Sequence, residues 1–318
     1  MRIGWLLIGA LIGTACTVAV REGPLPSQEI RCDSALGSPA NASDSLRVST
    51  SGWKTDFSKR CVPLSEIASG GPPRDAITPL DTPGFIDAAH AEAWLKPQEP
   101  VIVVSEGVQT RAYPLQILIW HEIVNDTIAQ RPVVVTFCPL CNTSLVFDRR
   151  VGGRELTFGT TGNLRLSDLV MWDRQTESWW QQATGEAIVG ELTGARLQRV
   201  TSSVLSFEEF RRAYPDGEVL SRDAANAEME RKQSGRRAYG TNPYVGYDRA
   251  DTSPISAFWG DRPTDARLHP KTRVAVATFA SPPVAYVLDE LKAATAVNET
   301  IGGRRVVQIG RASCRERV

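Results

Sequence analysis

Two cysteines separated by two residues are the feature of this sequence with the clearest chemical potential. Cys138 and Cys141 lie in the string Cys-Pro-Leu-Cys, between runs 133–137 and 143–147 that are typical of strands. This spacing lets two thiols reach one point, where they can close a disulfide ring, supply half of a tetrahedral metal site, or pair a nucleophilic thiolate with a resolving thiol. The sequence therefore predicts where a site lies before it predicts a reaction.

A metal site is the leading hypothesis for these cysteines. Cys-Pro-Leu-Cys resembles one zinc or rubredoxin-type knuckle, and His121 is the candidate imidazole ligand upstream. Two thiolates with an imidazole suit copper(I) or zinc. A closed site needs a fourth ligand, and the spacing does not select His90 or Met171 for it. We therefore predict Cys138, Cys141 and His121 as metal ligands, with copper or zinc as the ion.

Three other roles stay open for the same residues. In a thiol-disulfide oxidoreductase, Cys138 and Cys141 would be the catalytic pair, although the residues after Cys141 are typical of a turn and a strand and not of a helix N-terminus that lowers a thiol pKa. In a nucleophilic site, Cys138 would attack a carbonyl with His121 as base. In a noncatalytic module, the pair would form a disulfide loop and His121 would be a hydrogen-bonded core residue.

Three acidic residues and a group of tryptophans are weaker candidates. Asp168, Asp173 and Glu177 have the side chains that acid-base catalysis needs, but Asp at strand ends more often bonds to the backbone. The tryptophans between 172 and 180 are more typical of a core than of a ligand pocket. Neither group changes the prediction for the cysteines.

Composition limits the partners of the protein. The 318 residues contain 36 Lys plus Arg and 36 Asp plus Glu, so no basic surplus attracts phosphate backbones or anionic lipid. We therefore expect no nucleic-acid partner, and a metal ion or an unidentified small ligand as the partner of the site.

The first sixteen residues are typical of a secretory signal peptide. One Arg precedes a short apolar run that ends in small residues, and this run is too short to span a membrane comfortably. The string Gly-Thr-Ala-Cys16 also resembles a bacterial lipobox, in which Cys16 is lipidated. We predict an extracytoplasmic protein, periplasmic or secreted, whose contact with a membrane would be a lipid anchor at Cys16.

The segments that flank the predicted domain are polar. Residues 17–60 are rich in Ser and Pro and predict a tether. In an oxidising compartment, Cys32 and Cys61 are expected to pair as a staple, although four cysteines allow three connectivities. At the other end, residues 309–318 change abruptly in composition and match a translated sequencing-adapter oligonucleotide, so we interpret them as an artefact and exclude them from fold reasoning.

An internal repeat organises the single domain predicted over 61–308. The segments at about 95–135 and 268–308 agree at a constant offset of 173, as in Ala112-Tyr113 with Ala285-Tyr286 and Val124-Asn125 with Val297-Asn298. His121 corresponds to Ala294, and we interpret it as a residue that the scaffold does not need and a site could use.

The repeated unit predicts a β-β-α-β arrangement. In the first copy we expect strands near 101–105, 109–113 and 132–137, and a helix from Pro114, because Pro suits the first turn of a helix. The chain between the copies holds short strand-like segments, a hairpin loop at 151–154, and a helix near 205–214. We therefore predict an α+β fold, mainly antiparallel β-sheet with short helices, built on two related β-β-α-β units.

Several strings carry a family resemblance. The chain resembles the bacterial family called domain of unknown function 3179 over roughly residues 62–308, in the segments Gly70–Ile77, Arg111–Leu115, Trp120–Asp126, Thr136–Cys141, Ser167–Ser178 and Asn242–Asp248. The resemblance implies an extracytoplasmic bacterial protein and assigns no reaction, so the chemistry has to come from the residues.

Overall fold

The computed structural model describes residues 44–247, 249, 251–259, 266–277 and 279–309. Three larger sheets are formed, with strand orders β1-β10-β11-β12-β13, β14-β7-β6-β5 and β15-β3-β4-β16-β2, and we call them sheets A, B and C. Neighbouring strands are antiparallel except for β16 with β4. In chain order the strands are β1 (Ile67–Ser69), β2 (Phe85–Asp87), β3 (Pro100–Glu106), β4 (Gln109–Pro114), β5 (Ile123–Ile128), β6 (Arg131–Cys138), β7 (Thr143–Asp148), β8 (Arg150–Val151), β9 (Arg154–Glu155), β10 (Phe158–Arg165), β11 (Asp168–Asp173), β12 (Trp179–Gln181), β13 (Glu186–Val189), β14 (Arg199–Val200), β15 (Ser202–Ser206), β16 (Glu218–Leu220), β17 (Val274–Ala277), β18 (Val284–Val287), β19 (Ala296–Ile301) and β20 (Arg304–Ile309).

The helices of the described residues are short. They are α1 (Ala88–Ala91), α2 (Leu115–His121), α3 (Phe207–Ala213), α4 (Arg222–Arg231) and α5 (Leu288–Ala294). Mostly antiparallel sheets with a few short helices confirm the predicted α+β class. None of the helices in the described part of the chain is long and apolar enough to cross a lipid bilayer.

Sheet B lies in the middle of the molecule, and β6 shows how the sequence places it there. Because side chains alternate along a strand, Val134 and Cys138 face sheet A, while Val133, Val135 and Phe137 face α2 and sheet C. All five are buried, which explains why the run is apolar at consecutive positions instead of at alternate ones. The end of this doubly covered strand is where the cysteine pair begins.

The predicted repeat is visible as matching element bounds. Helix α2 and helix α5 start and end at positions that differ by 173, and so do β5 and β19. Each copy has one strand more than predicted, because Ile123–Ile128 and Ala296–Ile301 are strands, so the unit is β-β-α-β-β. Pro114 is the N-cap of α2 and not its first helical residue.

Most of the other predicted elements are found. The predicted hairpin at 151–154 is the β8–β9 turn, and the predicted helix near 205–214 is α3, which Ser206 and Glu209 start with a capping box. Helix α4 was not predicted, because its sequence Arg-Asp-Ala-Ala-Asn-Ala-Glu-Met-Glu-Arg has little apolar periodicity.

Residues 44–60, the described part of the predicted tether, contact the folded domain. Trp53 and Phe57 each place an aromatic ring 5.1 Å from that of Trp179, on the outer face of sheet A. These two aromatic side chains anchor the segment on sheet A even though it lacks periodicity and most of its residues are exposed or half-buried. The predictions for the signal peptide, Cys16 and residues 310–318 lie outside the described residues. Cys61 is disulfide-bonded, and the predicted partner Cys32 also lies outside them.

Candidate functional site

The two predicted cysteines lie at a tight hairpin connection. Strand β6 ends at Cys138 and β7 begins at Thr143, whose backbone is paired with that of Cys138. Asn142 closes the turn with a φ of 51°, a left-handed conformation that Asn tolerates better than most residues. The turn-into-strand context expected from the sequence is therefore present. Both thiols are free; Cys138 is buried and Cys141 is half-buried.

Asp168 joins the cysteines from sheet A. It is the first residue of β11, and one of its carboxylate oxygens and the sulfur atoms of Cys138 and Cys141 all lie within 4.8 Å of one another. The Cys141 thiol donates a hydrogen bond to Asp168 Oδ1 at 3.2 Å, and the Cys138 thiol donates weakly to the carbonyl oxygen of Ser167 at 3.7 Å. Two strands from different sheets thus bring three possible ligand atoms together.

Neutral groups hold the Asp168 carboxylate in place. The Gln181 amide and the Ala183 backbone N–H, at 3.0 Å, both donate to Asp168 Oδ2. Burial raises the pKa of Asp168, although these hydrogen bonds oppose the shift. Burial also raises the pKa of the Cys138 thiol well above its usual range, with Cys141 and Asp168 adding to the effect. Cys138 and Asp168 therefore bind protons more tightly than the same groups would in water.

Glu122 adds a fourth acidic group to the same region. It is the C-cap of α2, in a left-handed conformation with φ 57°, and its side chain is buried. Burial raises its pKa to about 8; the Tyr244 hydroxyl, which donates to Glu122 Oε1 at 3.5 Å, lowers it, and the charge of Asp168 raises it further. Glu122 was not predicted as a site residue. The one feature of the sequence that could have indicated it is that it follows the predicted ligand His121.

His121 does not join the cysteines. Its Nδ1 lies 2.7 Å from the carbonyl oxygen of Thr78 and its Nε2 lies 2.7 Å from the Tyr239 hydroxyl, so both ring nitrogens already have partners. Burial lowers the pKa of His121 to about 4, which leaves the ring neutral. His121 is therefore not the third ligand-type side chain beside the cysteines, because its ring is held by Thr78 and Tyr239; among the described residues that side chain is Asp168.

The other residues considered as ligands or catalytic groups make contacts that stabilise the fold. His90 lies on α1 and bonds to Asp87 at an exposed position. Met171 is buried in the apolar layer between sheets A and B. Asp173 accepts hydrogen bonds from the backbone N–H and the hydroxyl of Thr176 and from the Trp180 indole, as expected for an Asp at a strand end. Trp180 itself is fully buried in the core.

Fold and site together define an α+β protein with a buried group of two thiols and a carboxylate between two sheets. The family described as "Protein of unknown function (DUF3179)" matches residues 74–318, so the chain belongs to this family. The family resemblance expected from the sequence is confirmed, and the matched segment starts and ends later than the predicted 62–308. No curated protein and no solved structure matches the chain.

Proposed function

We propose that this is a secreted or lipid-anchored protein that binds one soft or borderline metal ion, zinc or copper(I), through Cys138, Cys141 and Asp168. One observation carries the proposal: three side chains of ligand type, from two sheets, place their ligand atoms within 4.8 Å of one another at a largely buried position. The signal-like N-terminus supports the location.

The donor set favours these metals for a chemical reason. Zinc accepts thiolate and carboxylate ligands together, and a three-ligand protein site leaves one position for water or another molecule. Copper(I) prefers soft sulfur ligands, which Cys138 and Cys141 alone would supply. Hard oxygen-seeking ions such as magnesium fit the two sulfur atoms poorly.

The electrostatics also support a bound cation. Cys138, Asp168 and Glu122 have raised pKa values because burial penalises their charged forms. A cation among them would stabilise the same charged forms and release their protons. Metal affinity should therefore increase with pH.

The first prediction concerns metal content. Protein purified from the periplasmic fraction should contain stoichiometric zinc or copper by elemental analysis, and Cys138→Ser or Cys141→Ser should lose it. Asp168→Asn should weaken binding at least as much as the roughly 10–100-fold typical of changes around a metal site. Native protein that is metal-free and takes up neither ion after reduction would contradict the proposal.

His121→Gln is the matched control and a prediction of its own. Since both His121 ring nitrogens have partners elsewhere, this variant should keep its metal while unfolding at lower temperature. Loss of metal in His121→Gln, with Asp168→Asn unaffected, would restore the ligand set predicted from the sequence.

A periplasmic thiol-disulfide oxidoreductase is the second candidate. Two observations support it. Both thiols are free, and Cys141 borders a cavity, so its sulfur could meet a substrate while the buried Cys138 resolves the mixed disulfide. The raised pKa of Cys138 opposes thiolate formation and ranks this candidate second. A metal-free protein whose Cys138 and Cys141 cycle between thiols and a disulfide would favour it, whereas an inert disulfide would indicate a noncatalytic module.

A further inference from the structure

A cavity of about 550 Å³ adjoins the cysteine hairpin. Its wall includes Cys141 and aromatic side chains from the segment that follows α4, among them Tyr244 and Tyr247. The Tyr247 hydroxyl donates to the carbonyl oxygen of Leu140 at 3.3 Å, which fixes this wall against the cysteine turn. The volume and the aromatic lining are those of a small-molecule site.

A strained turn borders the cavity. Leu166 and Ser167 connect β10 to β11, and both have positive φ, 53° and 63°. A two-residue hairpin turn of this kind favours Asn-Gly, because a side chain in the left-handed region costs energy. Both residues line the cavity, and non-glycine residues held in this conformation occur often at functional sites.

This wall includes two residues whose buried hydrogen-bond donors have no partner among the described residues. These donors are the Ser167 hydroxyl and the Trp259 indole N–H. The two residues are neighbours, since the Ser167 backbone N–H donates to the carbonyl oxygen of Phe258 at 2.9 Å. Ser167 is only 5% exposed. An unsatisfied buried donor is unfavourable, so a bound acceptor would gain from both groups.

The charge of the wall indicates the kind of acceptor. Lys271 and Arg273 are among the lining residues, and within the described chain the lining includes no Asp or Glu. A negatively charged oxygen fits this balance better than a neutral one. We propose that the cavity binds a small organic carboxylate with an apolar body, whose oxygen accepts hydrogen bonds from Ser167 and Trp259. The inference goes beyond metal binding, because it depends on the wall and not on an ion.

The test measures binding of phenylacetate to the full chain by titration calorimetry. We expect binding to the native protein, and at least tenfold weaker binding to Ser167→Ala and to Trp259→Phe, as for loss of a hydrogen bond to a charged group. Phenylacetamide, the neutral isostere, should also bind at least tenfold more weakly. Ser167→Ala should not lose stability, since the hydroxyl it removes has no partner in the described part of the chain.

Trp120→Phe is the matched control. Trp120 also has an unpartnered indole N–H but is not among the residues that line the cavity, so phenylacetate should bind this variant as it binds the native protein. Native protein that fails to bind millimolar phenylacetate would overturn the inference, and so would equal affinity for Ser167→Ala, Trp259→Phe and native protein. Equal binding of phenylacetamide would overturn the carboxylate class.

Phenylacetate binding can be tested separately from metal binding. Titration of chelator-treated native protein and of Cys138→Ser should show phenylacetate binding even though neither holds a metal ion. Binding that disappears in both, while it is present in metal-loaded native protein, would show that the acceptor is the ion and not the wall, and would also overturn the inference.

Discussion

Glu122→Gln is expected to remove a loss of stability that the native protein undergoes as the pH rises to about 8. The pKa of Glu122 is raised from 4.5 to about 8, so the folded state holds a proton that the unfolded state releases. A group of this kind contributes stability that is fully present below its unfolded pKa and is lost as the pH rises through its folded pKa. The loss is on the order of 4 kcal/mol once the pH exceeds 8. The Gln variant carries no titrating group there and should be the more stable protein at alkaline pH.

The contribution of His121 to stability changes with pH in the opposite direction. The pKa of this side chain is lowered from 6.5 to about 4, so its contribution is present above pH 6.5 and is lost as the pH falls towards 4. Between 4.5 and 6.5 the Glu122 and His121 slopes oppose each other in the native protein. In Glu122→Gln the opposing slope of Glu122 is removed, so stability should rise more steeply with pH over that interval than in the native protein.

Urea unfolding of chelator-treated protein at a series of pH values measures both contributions. The comparison uses the difference between native and Glu122→Gln curves, because contributions from titrating groups that do not interact with Glu122 are shared and cancel. Parallel curves between pH 6.5 and 8 would show that the Glu122 carboxyl is solvated and its pKa ordinary.

Arg149→Lys is expected to destabilise the fold by about 3–5 kcal/mol, because two or more buried carbonyl oxygens would lose their donors at about 1–3 kcal/mol each. Arg149 is 5% exposed. Its guanidinium donates to the carbonyl oxygens of Val133, Leu156 and Asp126 at 3.1, 2.6 and 3.2 Å, and it lies 3.0 Å from Glu155. A lysine keeps the charge but offers one nitrogen in place of a planar fork, so it leaves buried carbonyl oxygens without donors.

Thermal unfolding followed by circular dichroism gives the measurement, and the next residue provides the control. Arg150 also binds a carboxylate, that of Asp148, but its side chain is 55% exposed, so Arg150→Ala should change the unfolding temperature little. Similar losses in the two variants would mean that the Arg149 network is no stronger than a surface ion pair.

The parts of the site that could be predicted were encoded locally. Cys138 and Cys141 are joined by a turn whose residues and flanking strands are all within one short stretch, and the structure has that turn. Asp168 was considered in the sequence only for acid-base catalysis. It could not be connected with the cysteines, since it is 27 residues from Cys141 and reaches it only because sheets A and B pack face to face. A pattern of residues along one chain segment carries no information on that packing.

His121 differs between the two copies, where it corresponds to Ala294, as the sequence indicated. In the structure its ring nitrogens lie beside Thr78 and Tyr239 and not beside the cysteines. What both copies share at the next position is backbone shape: Glu122 and Thr295 have φ values of 57° and 65°. Strand β5 was missed because its polar Asn125 is buried, where it bonds to Asp81 and to the backbone of Phe158.

The position of the candidate ligands between two sheets has a consequence for how the protein opens. Cys138 belongs to sheet B and Asp168 to sheet A, so neither sheet carries the site by itself. An occupant bound across the junction favours the closed arrangement in proportion to its concentration over its dissociation constant. A fluctuation that separates sheets A and B would release the bound ligand, and at low ligand concentration the sheets would separate more often. Ligand affinity and the stability of the contact between the two sheets would therefore change together.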